Sequence, residues 1–334
     1  MEKRGYELSF SWIFTIIVGA FIIFLAIYFA IRLVSTEQFS REAKEGKSIG
    51  ILLTPVETQV EEGKFAKILL RDKTVLFNKC EPPATTNPFG SQNIGTSVNP
   101  PIGQRVSLLN GTMSTFHNKY IFTSSYGIQG DEEMYVLSKP LWLPFKVADL
   151  LIIWSDQEKY CFKNPVPDAI KSRLQALNLE KVRISTTCDA DEIDVCFTGG
   201  TSCTINVDIN QHKVTKVSAP PMYYLDSLED DPYAMLYAAI FSDPANYECQ
   251  KARILAHIRE LIKLYLYKSE KIIVQGSTTG CSSNSLTYLG LLDTLVGRVL
   301  SGTSDLNDIN QYVQSDPDFK NFQTIGGGRG CELF

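Results

Sequence analysis

Histidine is scarce in this sequence, and cysteine is not arranged in pairs. Only three histidines occur in 334 residues, and His117, His212 and His257 lie in three differently patterned regions. None of the eight cysteines forms a C-x-x-C pair. Structural zinc sites depend on such spacings. A zinc site is therefore not expected.

Clustered positive charge is missing as well. After residue 47 there is no run of lysine or arginine interleaved with aromatic residues, and the formal net charge of the chain is -5. A nucleic-acid-binding surface needs clustered positive charge. We therefore expect no nucleic acid among the partners.

Familiar catalytic motifs are also missing. The segment KIIVQGSTTG, residues 271–280, lacks the lysine of a phosphate loop and has Thr278 where G-x-S-x-G needs serine. A cluster of acidic residues could bind calcium, which prefers several oxygen ligands. However, Asp194 stands where an EF-hand loop requires glycine, so we interpret the cluster as a solvated turn. Its members are Asp189, Asp191, Glu192 and Asp194. The sequence thus predicts no metal and no cofactor, disfavours an enzyme and leaves catalytic residues unknown.

One long hydrophobic run is present near the N-terminus. No charged residue lies between Phe10 and Ile31, so a helix there could cross a hydrocarbon layer of ~30 Å. The run exceeds the roughly 7 to 15 apolar residues of a cleaved secretory signal. The sequence predicts a transmembrane anchor, within a helix from about Tyr6 to Glu45, and a lipid bilayer as partner.

Small residues mark one face of this predicted helix. At 100° per residue they fall within an arc of about 100°, and such faces let helices approach closely in lipid. They are Ser11, Thr15, Gly19, Ala26 and Ala30. We interpret them as a helix-packing surface for other membrane helices or further copies of the chain. The open alternative is that small residues are simply common in single spans.

Two signals disagree about membrane topology. Four basic residues follow the apolar run within positions 32–47 and two precede it, which by the positive-inside rule keeps the later chain in the cytoplasm. All eight cysteines follow the run, and an even number without zinc spacing favours disulfides in an oxidising compartment. We therefore expect a cell-membrane protein with its C-terminal domain outside. The C-a-a-X form of Cys331–Phe334 competes with this, since prenylation needs a cytoplasmic C-terminus.

The disulfide candidates are spread through the chain. Cys188, Cys196 and Cys203 lie on consecutive predicted strands, so at least one pair should involve them. The full set is Cys80, Cys161, Cys188, Cys196, Cys203, Cys249, Cys281 and Cys331.

The hydrophobic pattern predicts an α+β fold with a long N-terminal transmembrane helix, a mixed-sheet ectodomain and a C-terminal helical part. The corresponding boundaries are 1–47 for helix and stalk, 48–220 for the β-rich part, and 221–334 for the helical region with a flexible tail. Short apolar runs before Pro220 predict strands, and a 3.6-residue period follows it. Helix starts are predicted at Asp231-Pro232 and Asp243-Pro244, where Asp can cap and Pro takes the first position.

Three local predictions concern the β-rich part. Lys67–Leu70 and Thr74–Asn78 predict a hairpin. Five prolines and three glycines between Cys80 and Gln104 predict an irregular loop with no helix or central strand. A strand at Leu150–Trp154, a helix opened by two prolines and a strand at Val182–Thr186 predict a β-α-β unit.

The N-terminus carries a resemblance to a known family. Lys3-Arg4-Gly5 stands immediately before Tyr6 and the apolar run, and this arrangement resembles the class III signal peptide of archaeal type IV pilin-like proteins. In that family the peptidase cuts after the glycine, and the remaining helix packs subunits into a filament. The resemblance implies Gly5 and Tyr6 as processing residues. The stretches IFSDPANYEC and LWLPFKVADLLII look like uncharacterised single-pass surface proteins of small-genome archaea, which implies no function.

Two classes of function follow. The favoured one is a single-pass membrane-anchored surface protein whose disulfide-supported ectodomain has a structural or interaction role, in its specific form a pilin-like filament subunit. The alternative is an anchored extracellular enzyme or ligand-binding receptor that uses the Cys80–Gln104 loop or the acidic cluster.

Overall fold

The computed structural model describes the chain in nine ranges: residues 14–29, 65–70, 73–98, 113–143, 145–197, 203–228, 231–275, 284–304 and 306–315. Within them lie six helices: α1 (residues 14–29), α2 (Asp168–Leu177), α3 (Ala234–Phe241), α4 (Pro244–Gln275), α5 (Asn284–Leu300) and α6 (Leu306–Ser315). The strands are β1 (Phe65–Leu69), β2 (Thr74–Glu81), β3 (Ser91–Val98), β4 (Ser114–Phe116), β5 (Tyr120–Thr123), β6 (Gly127–Gly130), β7 (Glu133–Trp142), β8 (Lys146–Ser155), β9 (Tyr160–Lys163), β10 (Val182–Ser185), β11 (Ile193–Cys196), β12 (Ile205–Asp208), β13 (Lys213–Lys216) and β14 (Met222–Tyr223).

The strands form three sheets. The central sheet has the order β1-β7-β8-β5, the small sheet β4-β3-β2-β6, and the six-stranded sheet β10-β9-β11-β12-β13-β14. The central sheet is mixed, because β5 runs parallel to β8 while β7 runs antiparallel to it. The six-stranded sheet is also mixed, with β12 parallel to β11 and antiparallel to β13. The described part of the fold is therefore mixed α and β, as the strand and helix patterns predict.

The central sheet separates two hydrophobic cores. Successive side chains of a strand point to opposite faces, so Tyr120 and Phe122 of β5 lie in the larger core while Ile121 between them lies in the smaller one. The smaller core also receives Leu76 and Ile94 from the small sheet. The larger core contains the side chains of the six-stranded sheet and of α3 to α6. Helix α3 is wholly buried there, which explains its uninterrupted apolar sequence.

The prediction of a long N-terminal transmembrane helix is wrong for the residues that the structure describes. Helix α1 covers sixteen residues, 14–29, and at ~1.5 Å per residue it is about 24 Å long, short of a ~30 Å hydrocarbon layer. Across the nine described ranges, no helix combines the length and apolar character needed to cross a membrane.

Two predictions in the β-rich part are also wrong. Strands β1 and β2 form no hairpin, because β1 pairs with β7 in the central sheet and β2 pairs with β3 and β6 in the small sheet. The segment expected to lack a central strand contains β3, which lies between β4 and β2. The prolines stand before and after β3 and none lies within it, so the ladder loses no N–H donor there.

The predicted β-α-β unit is wrong in its first strand. Strand β9, the short segment YCFK, pairs in parallel with β10, and α2 connects them. The strand at Leu150–Trp154 is part of β8 in the central sheet. Capping by Asp243 is confirmed, since its Oδ1 accepts the N–H groups of Ala245 and Asn246 at 2.9 and 3.0 Å.

Candidate functional site

A cleft of about 440 Å³ opens where the start of α4 meets β2 and the turn after β5. Its volume lies within the roughly 300–1,000 Å³ of small-molecule sites. Most of its lining residues have side chains that can form hydrogen bonds, and one is aliphatic: Asn78, Lys79, Cys80, Ser124, Ser125, Tyr126, Asp243, Ala245, Asn246 and Cys249. We take this cleft as the candidate functional site.

The first turn of α4 holds two polar side chains of the cleft in place. Asp243 uses Oδ1 to cap the helix, and its own backbone N–H donates to Thr123 O at 2.9 Å. Asn246 accepts the Thr123 N–H through Oδ1 at 3.3 Å. Because that contact requires an acceptor, it also fixes the orientation of the Asn246 amide. The helix start and the end of β5 are thus joined by two hydrogen bonds at Thr123.

Ionisable groups lie behind Ser124 of the cleft. The Ser124 hydroxyl is a hydrogen-bond partner of Glu158, and burial raises the pKa of that carboxyl. Burial lowers the pKa of Lys216 to about 8, against the attraction of Asp243 and Glu158. Lys216 Nζ donates to Ile240 O at 2.7 Å and also to Ser242 O. Lys216 therefore supplies donors to carbonyl groups at the end of α3.

A buried amide network joins α4 to the small sheet beneath the cleft. Asn78 Nδ2 donates to Thr123 Oγ1 at 2.8 Å and to Ile121 O at 3.1 Å. Gln92 Nε2 donates to Asn78 Oδ1, and Gln250 Nε2 donates to Gln92 Oε1 and, at 2.9 Å, to Ile121 O. The three amides are all buried. A satisfied buried network of this kind specifies one geometry between the elements that it joins.

Arg253 extends this contact one turn further along α4. Its guanidinium is fully buried and donates to Phe89 O at 3.1 Å, Lys119 O at 2.9 Å and His117 O at 3.0 Å. It also lies 4.9 Å from the centre of the Tyr120 ring. None of these partners is a carboxylate, so carbonyl dipoles and a ring face stabilise the charge. Burial lowers the Arg253 pKa.

A tyrosine–histidine pair completes this face of the helix. Tyr120 OH lies 2.8 Å from His257 Nδ1. Burial raises the pKa of Tyr120 to about 12, while burial and the nearby Arg253 lower that of His257. Both directions favour the neutral forms, in which the Tyr120 hydroxyl donates to the ring nitrogen.

Three disulfides pair six of the eight cysteines, so the prediction of disulfide bonds is confirmed for these. They are Cys80–Cys249, Cys161–Cys188 and Cys196–Cys203. The first links β2 to α4 across 169 residues and lines the cleft. Two pairs involve the cysteines from which at least one pair was expected. Cys281 and Cys331 lie outside the described residues.

The carboxylates of the acidic cluster have basic or hydroxyl partners within the described structure. Arg183 lies 2.9 Å from Asp189 and 2.5 Å from Glu192, and Lys159 lies 2.5 Å from Asp191. Asp194 accepts from Thr204. Glu192 also lies near the sulfur atoms of Cys161 and Cys188, but those atoms are bonded to each other and are not thiolate ligands. Ion pairs therefore engage three of the four carboxylates, and hydrogen bonds from Thr204 engage the fourth.

The remaining predicted site residues fall into two groups. Thr15, Gly19 and Ala26 lie in α1, where no neighbouring atom is within 4 Å of a side chain built on Gly19. Ser11, Ala30, Gly5 and Tyr6 lie outside the described residues. Their packing and processing roles stay predictions.

Sequence reasoning missed the residues of the cleft and of the buried network. One signal was available on α4. Asn246, Gln250, Arg253 and His257 follow each other at spacings of four, three and four, which places them on one helix face. The helix was predicted from the apolar residues of α4. The polar face beside Cys249 was not recognised as a separate feature. No comparable signal marks Ser124 or Tyr126.

No family model, no curated protein and no solved structure matches this chain.

Proposed function

We propose that this chain is a surface protein whose disulfide-supported domain acts outside the cytoplasm in an interaction or structural role. The observation that carries the proposal is the pairing of all six cysteines of the described residues. Disulfides persist in oxidising compartments and are rare in the cytosol. The polar, ion-paired acidic cluster and the dispersed histidines add nothing that favours an enzyme.

The specific form of the proposal is a pilin-like subunit, processed after Gly5, in which copies associate through α1. Its support is the exposed apolar surface of α1, where Phe14, Phe21 and Phe24 are 60%, 61% and 65% exposed. Contiguous exposed apolar surface of this kind is typical of interaction sites. The partners that would cover it are further copies of the chain and a lipid bilayer.

One mass-spectrometric experiment on protein from the native cell tests both parts. The chain is denatured and alkylated with and without reductant, and its N-terminal peptide is sequenced. We expect no alkylation of the six paired cysteines before reduction, because disulfide sulfur does not react, and a mature chain that begins at Tyr6. Six free thiols without reductant would refute the proposed compartment. An N-terminus at Met1 or Glu2 would refute the pilin-like form while leaving the disulfide-supported surface protein in place.

The cleft favours a second candidate, an extracellular ligand-binding receptor. A cavity lined by a disulfide, an aromatic ring and fixed amide groups is the kind of concave site that small ligands use. A receptor of this kind would also act outside the cytoplasm, as in the first proposal. It differs from the first proposal in that its partner is a small molecule.

A further inference from the structure

We propose that the cleft binds a neutral polyhydroxylated ligand, a sugar, through Tyr126, Asp243 and Asn246. The inference rests on the receptor form of the proposed function and adds the chemical class of its ligand.

The charge of the cleft selects a neutral ligand. Lys79 and Asp243 are the two charged side chains of the lining, and their formal charges cancel. Lys79 is already 3.1 Å from Glu81, so it is not positioned as a receptor for an anion. A cation would meet only one carboxylate in the lining, whereas hard cations need several oxygen ligands.

The side chains of the cleft favour a ligand that combines hydroxyl groups with an apolar face. Ala245 is the one aliphatic side chain of the lining, and most of the other lining residues carry hydrogen-bonding groups beside the Tyr126 ring and the Cys80–Cys249 disulfide. Serine, asparagine and aspartate side chains offer both donors and acceptors. A hydroxyl group both donates and accepts, so neighbouring hydroxyls can satisfy such a mixed lining.

Two of these polar groups are oriented before any ligand arrives. Asp243 caps α4 through Oδ1, which leaves Oδ2 as an acceptor that meets no hydrogen-bond donor among the described residues. Asn246 accepts the Thr123 N–H through Oδ1, which leaves its Nδ2 as a donor. A fixed acceptor and a fixed donor lie three residues apart on the first turn of α4. Adjacent sugar hydroxyls can pair with both at little cost in side-chain entropy.

An aromatic ring supplies the apolar part of the site. Tyr126 is 50% exposed, and its ring packs against Phe77 with centroids 5.6 Å apart. Ser125 donates to Gly127 O at 3.0 Å and holds the turn that carries the ring. The C–H groups of a sugar ring form an apolar face that packs on an aromatic side chain. The cleft therefore combines a ring with directional hydrogen-bonding groups.

A disulfide and a hydrogen-bond network beneath the cleft hold these groups in fixed relative positions. Cys80–Cys249 joins β2 to α4, and the amide network of Asn78, Gln92 and Gln250 joins the same elements. A rigid site loses little conformational entropy on binding, which matters for a weakly held neutral ligand.

The test uses the disulfide-intact protein and an array of immobilised neutral mono- and disaccharides. Inorganic phosphate, measured by calorimetry, serves as an anionic probe. We expect binding to at least one sugar and none to phosphate. Tyr126→Ala and Asp243→Asn should each weaken sugar binding by about tenfold or more, because one removes the stacking face and the other converts a carboxylate acceptor to an amide. The Asp243→Asn variant keeps a side-chain oxygen that can cap the helix.

The matched control is Tyr267→Ala, which removes a tyrosine of similar exposure, 58%, from the distant part of α4. It should leave sugar affinity unchanged, and thermal melting shows that all variants are folded. No binding to any sugar at millimolar concentration, equal effects of all three variants, or binding of phosphate alone would overturn the inference. If binding fails while all six paired cysteines are oxidised, only the sugar site is refuted. If those cysteines are free thiols in protein from the native cell, the proposed function itself is refuted.

Discussion

At the scale of single residues, Arg253 shows how a buried charge can be retained without an ion pair. Its donors reach carbonyl groups before β3 and before β5, and the Tyr120 ring covers one face. Carbonyl oxygens accept hydrogen bonds well but carry no net charge. The buried guanidinium is therefore stabilised by several well-placed hydrogen bonds rather than by an opposite charge. The planar guanidinium of arginine can donate to several separate carbonyl groups at once, which the single ammonium group of lysine does less well.

Replacing Arg253 should therefore be costly. We expect Arg253→Met to lower the free energy of unfolding by roughly 2 to 4 kcal/mol, since it leaves the buried carbonyl of Lys119 and the partly buried carbonyls of Phe89 and His117 without this donor. Arg253→Lys should recover less than half of that loss, because one ammonium group cannot reach the same acceptors. Urea unfolding of the oxidised protein measures both.

Arg298→Met is the control for this substitution, since Arg298 lies exposed in the last turn of α5. It should change stability by less than about 0.5 kcal/mol. Wild-type stability in Arg253→Lys would show that charge alone, not the forked geometry, is what the site requires.

His212 gives the fold a pH-dependent contact. Its Nε2 lies 2.9 Å from Asp226, and its ring packs edge-on against Tyr224. The hydrogen bond to Asp226 raises the His212 pKa, burial opposes this, and the charges of Asp226 and Asp208 add to the rise. A raised histidine pKa stabilises the folded state fully below the unfolded pKa, near 6.5, and this contribution is lost as pH rises through the folded value.

The matched variant is His212→Asn, because asparagine tolerates the positive φ of 47° at this position and does not ionise. Between pH 5.5 and 8.5 the wild type should lose stability relative to the variant, by less than about 1 kcal/mol since the pair is partly exposed to solvent. Urea midpoints at the two pH values measure the difference. Identical pH dependence in both proteins would contradict a stabilising His212–Asp226 contact.

At the scale of elements, α4 was predictable as a helix but not as the centre of the site. Ile254, Ile258 and Leu261 follow the helical period, and Asp243-Pro244 marks the start. The polar face of the same helix lies against β2, β3 and β5, where its amide partners Asn78 and Gln92 are single positions on two different strands. Which strands meet that face depends on sheet pairing, which a local pattern does not encode.

Strand β3 is a second element whose structure could not be predicted from its local sequence. Its segment SQNIGTSV carries one aliphatic residue that is buried in a core, Ile94, and prolines flank it. Local propensity therefore argued against a strand. Eight paired positions with β2 stabilise it nonetheless, so tertiary context overrides the local preference.

At the scale of the whole molecule, the disulfides differ mainly in the length of chain that they close. Cys80–Cys249 spans 169 residues and ties the small sheet to α4, whereas Cys196–Cys203 spans 7 residues beside one edge of β12. In the chain-entropy description a longer closed loop restricts the unfolded chain more strongly.

This difference predicts an order of stabilities for two double variants. Replacing Cys80 and Cys249 by serine should cost about 4 to 5 kcal/mol, and replacing Cys196 and Cys203 about 2 to 3 kcal/mol. Urea unfolding of each oxidised double variant tests the order. A larger loss from the Cys196–Cys203 pair would mean that local native contacts, rather than loop closure, set the contribution of these bonds.

The sequence by itself determined the mixed α and β content, the occurrence of disulfides and the caps that begin α4, because each depends on residues close together or on composition. Only the tertiary structure decided the cysteine pairs, the assignment of β1 and β2 to different sheets, and the cleft. These features join residues such as Asn78, Tyr126 and Asn246, which are far apart in the chain. Contacts of that kind are set by which faces bury together in the two cores, so no local pattern specifies them.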